Sequence, residues 1–222
     1  MALDQLRVSE AVAHVRSRIS SVGGNGVALI AVTKTFGPDA WLMAQAAGCD
    51  GVGENYAQEV LTKAEVVPRA NRLPVHFIGQ LQTNKIKQLA DIVDVWQSVD
   101  RASVITEIAQ RVKRPDVGLF IQVNTTEEDH KGGCSPAELA QLVKQATNVG
   151  LLVNGLMTVG PTDADPQRTR SAFSLLRTLA DEHGLAHRSM GMTGDLEIAI
   201  EEGSTMVRVG SALFGNRPSR QQ

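Results

Sequence analysis

Short apolar runs alternate with stretches of helical period along the whole chain. Val8, Ala11, Val12, Val15 and Ile19 recur at helical spacing between Arg7, Glu10, Arg16 and Arg18, which predicts an opening helix over residues 1–20. After a glycine-rich loop comes 28–35, unbroken and β-branched enough for a strand buried on both faces. Gly37-Pro38-Asp39 then starts a helix with proline at its tolerated first turn. Further strands are predicted over 51–53, 74–79, 92–99, 117–123, 150–157, 188–192 and 205–209. The helices between them have polar starts: Asn55, then Thr83 or Asn84, then a helix over 101–112. Ser135-Pro136-Ala137-Glu138 is a capping box, Asp165-Pro166 caps the next helix, and Thr193 is expected to cap 196–201.

Eight such alternations imply an α/β chain with a parallel sheet covered by helices. At 222 residues this matches a single-domain TIM (β/α)8 barrel over 1–222, with an extra N-terminal helix. An open doubly wound sheet is the other arrangement. It uses fewer strands and places a glycine fingerprint after the first, where this chain has Thr33-Lys34-Thr35-Phe36. With 22 basic and 24 acidic residues the net charge is −2, which argues against reliance on nucleic acid or an anionic membrane. No apolar run is long enough to span a bilayer and the N-terminus is not a signal peptide, so a cytoplasmic location is expected. Cys49 and Cys134 lack a CxxC partner and read as small buried hydrophobes, and the histidines show no metal spacing.

In a TIM barrel the chemistry lies at the C-terminal strand ends. Lys34 falls there, either as a solvated strand end or as an amine held for carbonyl chemistry. Two turns rich in glycine and hydroxyl residues, 189–193 and 209–211, follow the last two strands. They suit a phosphate, or simply tight turns and helix caps. Alternation on the last strand sets Met206, Arg208 and Gly210 on one face and Val207 and Val209 on the other, turning Arg208 into the barrel. A buried guanidinium requires a partner: a phosphate, a ring nitrogen, or an interior carboxylate such as Glu54. Lysine, phosphate turns and inward arginine together describe a pyridoxal 5′-phosphate (PLP) site. Arginine at the pyridine nitrogen cannot supply an acidic proton, which handicaps carbanion chemistry.

The motifs Ala31-Val32-Thr33-Lys34-Thr35, Gly53-Glu54-Asn55-Tyr56, His76 to Lys85, Ser189-Met190-Gly191-Met192 and Val207 to Gly215 resemble the pyridoxal phosphate homeostasis protein family. That family is itself similar to the N-terminal barrel of alanine racemases. The resemblance covers residues 8–215, with Phe36-Gly37-Pro38 one residue longer than the commoner pattern and Ser211 where threonine is more frequent. It implies PLP held as a Schiff base on Lys34, with phosphate contacts from Ser189, Gly191, Thr193, Gly210 and Ser211. It also implies Arg208 near the ring nitrogen, with Asn55 and Met157 beside the cofactor. Members are regarded as regulators or carriers of PLP rather than enzymes, with PLP-dependent apo-enzymes as recipients.

Racemases of this fold add a β domain and a tyrosine base from a partner subunit. This chain has one tyrosine, Tyr56, and nothing after Gln222 for that domain, so a non-catalytic monomer is expected. A weak racemase and a cofactor-free Schiff-base aldolase are the competing readings. The aldolase needs a neighbouring cation to depress its amine: no second lysine is near Lys34 in sequence, but Arg208 could supply that cation. His76 reads as a hydrogen-bonded core histidine. Lys131 reads as a surface lysine or a second amine for cofactor transfer, and 80–85 as a helix start or a partner surface.

Overall fold

The structure, a computed structural model, describes residues 3–215. The ends of the expected 1–222 domain, Met1 included, lie outside the described residues. The strands are β1 (Ala28–Val32), β2 (Gly51–Glu54), β3 (Val75–Phe77), β4 (Val95–Val99), β5 (Gly118–Gln122), β6 (Val153–Met157), β7 (His187–Ser189) and β8 (Met206–Val209). All pair in parallel and in sequence order, and β8 closes on β1 with Ile30 opposite Arg208. The helices are α1 (Gln5–Ser21), α2 (Asp39–Ala46), α3 (Ala57–Val66), α4 (Thr83–Leu89), α5 (Ala102–Arg111), α6 (Leu139–Asn148), α7 (Pro166–Glu182), α8 (Leu196–Glu201) and α9 (Ser211–Phe214). The expected (β/α)8 barrel with an added N-terminal helix is therefore the observed fold. No helix among the described residues is long and apolar enough to cross a membrane.

The apolar core lies between strands and helices. Leu29, Ala31, Val52, Trp41 and Trp96 belong to one buried cluster with the inner faces of the helices. The barrel interior differs in character. A Cβ at Gly51 would meet the His76 ring, and one at Gly53 would meet Ile30, Val32 and Ile78, so these glycines make room for larger neighbours. Among those neighbours are polar side chains: His76, Gln97, Ser189 and Arg208 are all buried.

The helix starts correct several expectations. Asn55 does not cap α3: the N-cap position is Tyr56, whose side chain makes no capping hydrogen bond. The cap of α4 falls on Gln82, so neither Thr83 nor Asn84 serves. Asp195, not Thr193, stands before α8, and its Oδ1 accepts from the Met192 amide at 2.5 Å. Asp165 does cap α7, accepting from the Arg168 amide. Glu138 accepts from both the amide and the hydroxyl of Ser135, and the box opens a 3-10 turn that leads into α6.

Candidate functional site

Lys34 lies just past β1, in a turn whose two flanking residues are anchored from behind. The Thr33 hydroxyl donates to Glu54 Oε1 at 2.6 Å, and its carbonyl accepts from Lys63 Nζ at 2.8 Å. Thr35 has φ 71, a left-handed conformation unusual for a β-branched residue, and its amide donates to Glu59 Oε2 at 2.7 Å. Lys63 is 2% exposed and also donates to Glu54 Oε1, at 2.5 Å, where Trp41 Nε1 donates as well. This buried pair fixes the backbone on which Lys34 stands. Lys63 is thus the second lysine that sequence proximity missed. Its only signal was a place on the buried stripe of α3 with Val60.

Glu54 is accordingly not the partner of Arg208. With Gly51 and Gly53 facing inward, alternation sends Glu54 outward, toward Trp41 and Lys63. Arg208 does point into the barrel, as expected, and is 4% exposed. Its Nη1 donates to the Ser189 carbonyl and hydroxyl, both at 2.7 Å, and its Nη2 to the Thr158 carbonyl at 2.7 Å. Burial pushes its pKa down to about 10, so it is cationic at neutral pH. Its three hydrogen-bond acceptors are neutral oxygens, with Asp195 a favourable charge nearby. The positive charge therefore remains available to whatever enters above it.

Lys34 and Arg208 face a common cavity of about 410 Å³, within the range of small-molecule sites. Asn55, Met157, Thr193, Gly210 and Ser211 line it too, joined by Val32, Ile78 and Met192 from the same motifs and by Val159 and Gly194, which sequence reasoning did not name. The two turns meet there: Thr193 Oγ1 and Ser211 Oγ are 3.4 Å apart. Gly194 opens onto space where a Cβ would touch nothing within 4 Å. Asn55 Oδ1 is buried without a hydrogen-bond partner. From outside, Arg18 of α1 steadies the first turn by donating to the Thr193 carbonyl at 3.1 Å while pairing with Glu197 at 2.7 Å.

Ser189 and Gly191 do not line this cavity. β7 ends at Ser189, earlier than the expected strand over 188–192, so that residue sits inside the barrel rather than on the rim. Its hydroxyl donates to Gln97 Oε1 at 2.6 Å and accepts from Arg208. Gly191 is packed against Ala199 with φ 97, a turn residue behind the site.

Lys131 is engaged rather than loose: it donates to the Gly160 carbonyl and pairs with Glu128 at 3.2 Å. Glu128 also takes both the amide and the hydroxyl of Thr162, strapping the loop after β5 to the loop after β6. The hydroxyl bond is the main reason its pKa is lowered to about 2. Residues Gln80, Leu81, Gln82 and Lys85 border a neighbouring cavity of about 400 Å³ that shares Asn55 with the first. A larger one of about 660 Å³ opens at the opposite end of the barrel, among the strand starts Val95, Gly118, His187 and Met206. The thiols of Cys49 and Cys134 are buried, which pushes their pKa values up to about 11 and 12 and leaves both protonated at neutral pH.

His76 is 4% exposed, and burial lowers its pKa to about 4. Gln97 Nε2 lies 2.7 Å from its Nδ1, so the neutral ring accepts there. A histidine kept neutral in the fold but protonated when unfolded removes stability as pH falls. The loss begins near the unfolded value of about 6.5 and is complete below about 4, roughly 3 kcal/mol in all. His76→Asn, which keeps an acceptor for Gln97, is expected to flatten that limb in urea titrations between pH 7 and 4. An unchanged limb would show that other groups set it.

The profile of the family described as "Alanine racemase, N-terminal domain" matches residues 8–218. A pyridoxal phosphate homeostasis protein of Aquifex aeolicus is 39% identical over 204 residues, covering 88% of this chain and 89% of its own. That of Vibrio alginolyticus is 41% identical over 209 residues, covering 86% and 87%. The solved structure of PipY from Synechococcus elongatus PCC7942 with PLP bound superposes with a TM-score of 0.83 at 30% identity, covering 94% of this chain and all of that one. Alanine racemase from Corynebacterium glutamicum shares the fold, with a TM-score of 0.74 at 16% identity, and the match covers 63% of its length.

Proposed function

The chain belongs to the pyridoxal phosphate homeostasis protein family, and from that premise we propose that the cavity above Arg208 is its PLP site. The observation that carries this reading is convergence: Lys34, Arg208 and the hydroxyl pair Thr193 and Ser211 border one cavity. The residues fit the group. The hydroxyls and the open face at Gly194 suit a phosphate. Arg208 offers a fixed cation to a pyridine nitrogen, and Asn55 would bring an unspent buried polar atom to the group from the cavity wall. When bound, PLP supplies an aldehyde that a lysine amine can capture and, in enzymes, an electron sink.

Lys34 presents its amine from a backbone held on both sides by Glu54, Glu59 and Lys63. Arg208 holds its place through carbonyl and hydroxyl acceptors and gives up no proton at neutral pH. The two turns bind and release the anionic end, one of them steadied by Arg18. Tyr56, the chain's one tyrosine, borders the neighbouring cavity that shares Asn55 with this one. Lys63 is paired with Glu54, which blunts it as an activating cation for a cofactor-free aldolase and leaves Arg208 as the cation that shares the cavity with Lys34.

The protein therefore acts in PLP homeostasis as a carrier or store rather than a racemase, with PLP-dependent apo-enzymes as recipients in the cytoplasm. In this reading the protein acts as a monomer.

Titration of the purified protein with PLP is expected to produce a visible absorbance band that Lys34→Ala abolishes, while the variant still binds PLP more weakly. Alanine racemisation is expected to run no faster than with free PLP. A protein that takes up no PLP would refute the site, and racemisation well above the free-cofactor rate would refute the carrier reading.

A further inference from the structure

The polar chain beneath Arg208 does not touch the cavity, and its orientation is fixed end to end. Gly51 leaves room for the His76 ring. Gln97 Nε2 meets His76 Nδ1 at 2.7 Å and the Met206 sulfur at 3.1 Å, so both amide hydrogens have partners. Gln97 Oε1 is then the acceptor for the Ser189 hydroxyl at 2.6 Å. With its proton committed to Gln97, Ser189 Oγ turns a lone pair toward Arg208 Nη1 and, with its own carbonyl, grips that nitrogen from two sides.

A serine hydroxyl left without Gln97 is free to rotate. Its hydrogen could then face the guanidinium, and one of the two acceptors on Nη1 would be lost. We propose that Gln97, acting through Ser189, is the positioning residue that aims Arg208 at the bound cofactor. The inference rests on the PLP reading of the cavity. Gln97 itself lies below the site, inside the barrel and fully buried.

The test compares Gln97→Met, Ser189→Ala and the double variant by PLP titration, with the maximum of the visible band and the melting temperature of the cofactor-free protein as companion readouts. Each single variant is expected to weaken PLP binding about tenfold, the scale of one hydrogen bond to a charged group, and to move the band. The double variant is expected to weaken it about tenfold as well, since both changes break the same link. An additive loss near a hundredfold, or a lowered melting temperature with unchanged affinity and band in either single variant, would overturn the proposal. If Gln97→Met does not fold, Gln97→Asn, whose shorter side chain withdraws the acceptor from Ser189, takes its place in the same comparison. Failure of the unmodified protein to bind PLP would instead overturn the cofactor reading beneath it.

Discussion

Lys63→Met is expected to lower the unfolding free energy of the cofactor-free protein by about 3–5 kcal/mol in urea titration, the usual cost of orphaning one member of a buried ion pair. Glu54 is fully buried, and its Oε1 draws together Thr33, Trp41 and Lys63 while Oε2 has no hydrogen-bond partner. Without the ammonium, that carboxylate has only two neutral donors. The Thr33 carbonyl also loses its Lys63 bond. The effect should reach the site, because Thr33 and the left-handed Thr35 bracket Lys34. Covalent capture of PLP is expected to slow in the variant even where it remains folded. Glu54→Gln combined with Lys63→Met should recover most of the lost stability, since no uncompensated charge is then buried. A loss under about 1 kcal/mol in the single variant would contradict this account of the pair.

Arg208→Met is expected to weaken PLP retention by about 10- to 100-fold, the range of a charge-assisted hydrogen bond removed from a buried site. The capture of PLP by Lys34 should survive, because Lys34 stands on β1's turn and is held by residues that Arg208 does not touch. Stability should change less than in Lys63→Met. The Ser189 carbonyl keeps a bond from the Thr158 amide at 3.2 Å, and the methionine avoids the desolvation that pulls the Arg208 pKa down. Equilibrium dialysis and the visible band together separate retention from capture. Retention equal to that of the unmodified protein would make Arg208 a purely structural residue.

The barrel was legible because its strands are short, apolar and regularly spaced, and Lys34 stood where the first of them stops. Arg208 was legible because Val207 and Val209 mark the opposite face of β8. Faces were harder to read where glycine erased the alternation. In Gly51-Val52-Gly53-Glu54 no pair of apolar side chains marks the inward side, and Glu54 was considered for the wrong layer. Ser189 was misplaced because β7 ends earlier than the run over 188–192 suggests. Gln97 gave no sequence signal at all: between Trp96 and Ser98 it resembles any strand residue, and its value comes from three other strands converging on it. Thr193 was expected both as a cap and at the cofactor's phosphate; it borders the cavity, while Asp195 stands at the helix start and takes the Met192 amide.

Lys34 is the proposed point of PLP capture in this cavity. Borohydride reduction of the PLP-saturated protein, followed by peptide mass mapping, tests it most directly. The added mass of one reduced cofactor is expected on the peptide containing Lys34, with Lys63 and Lys131 unmodified. Stable modification at another lysine with Lys34 untouched, or none at all, would contradict it.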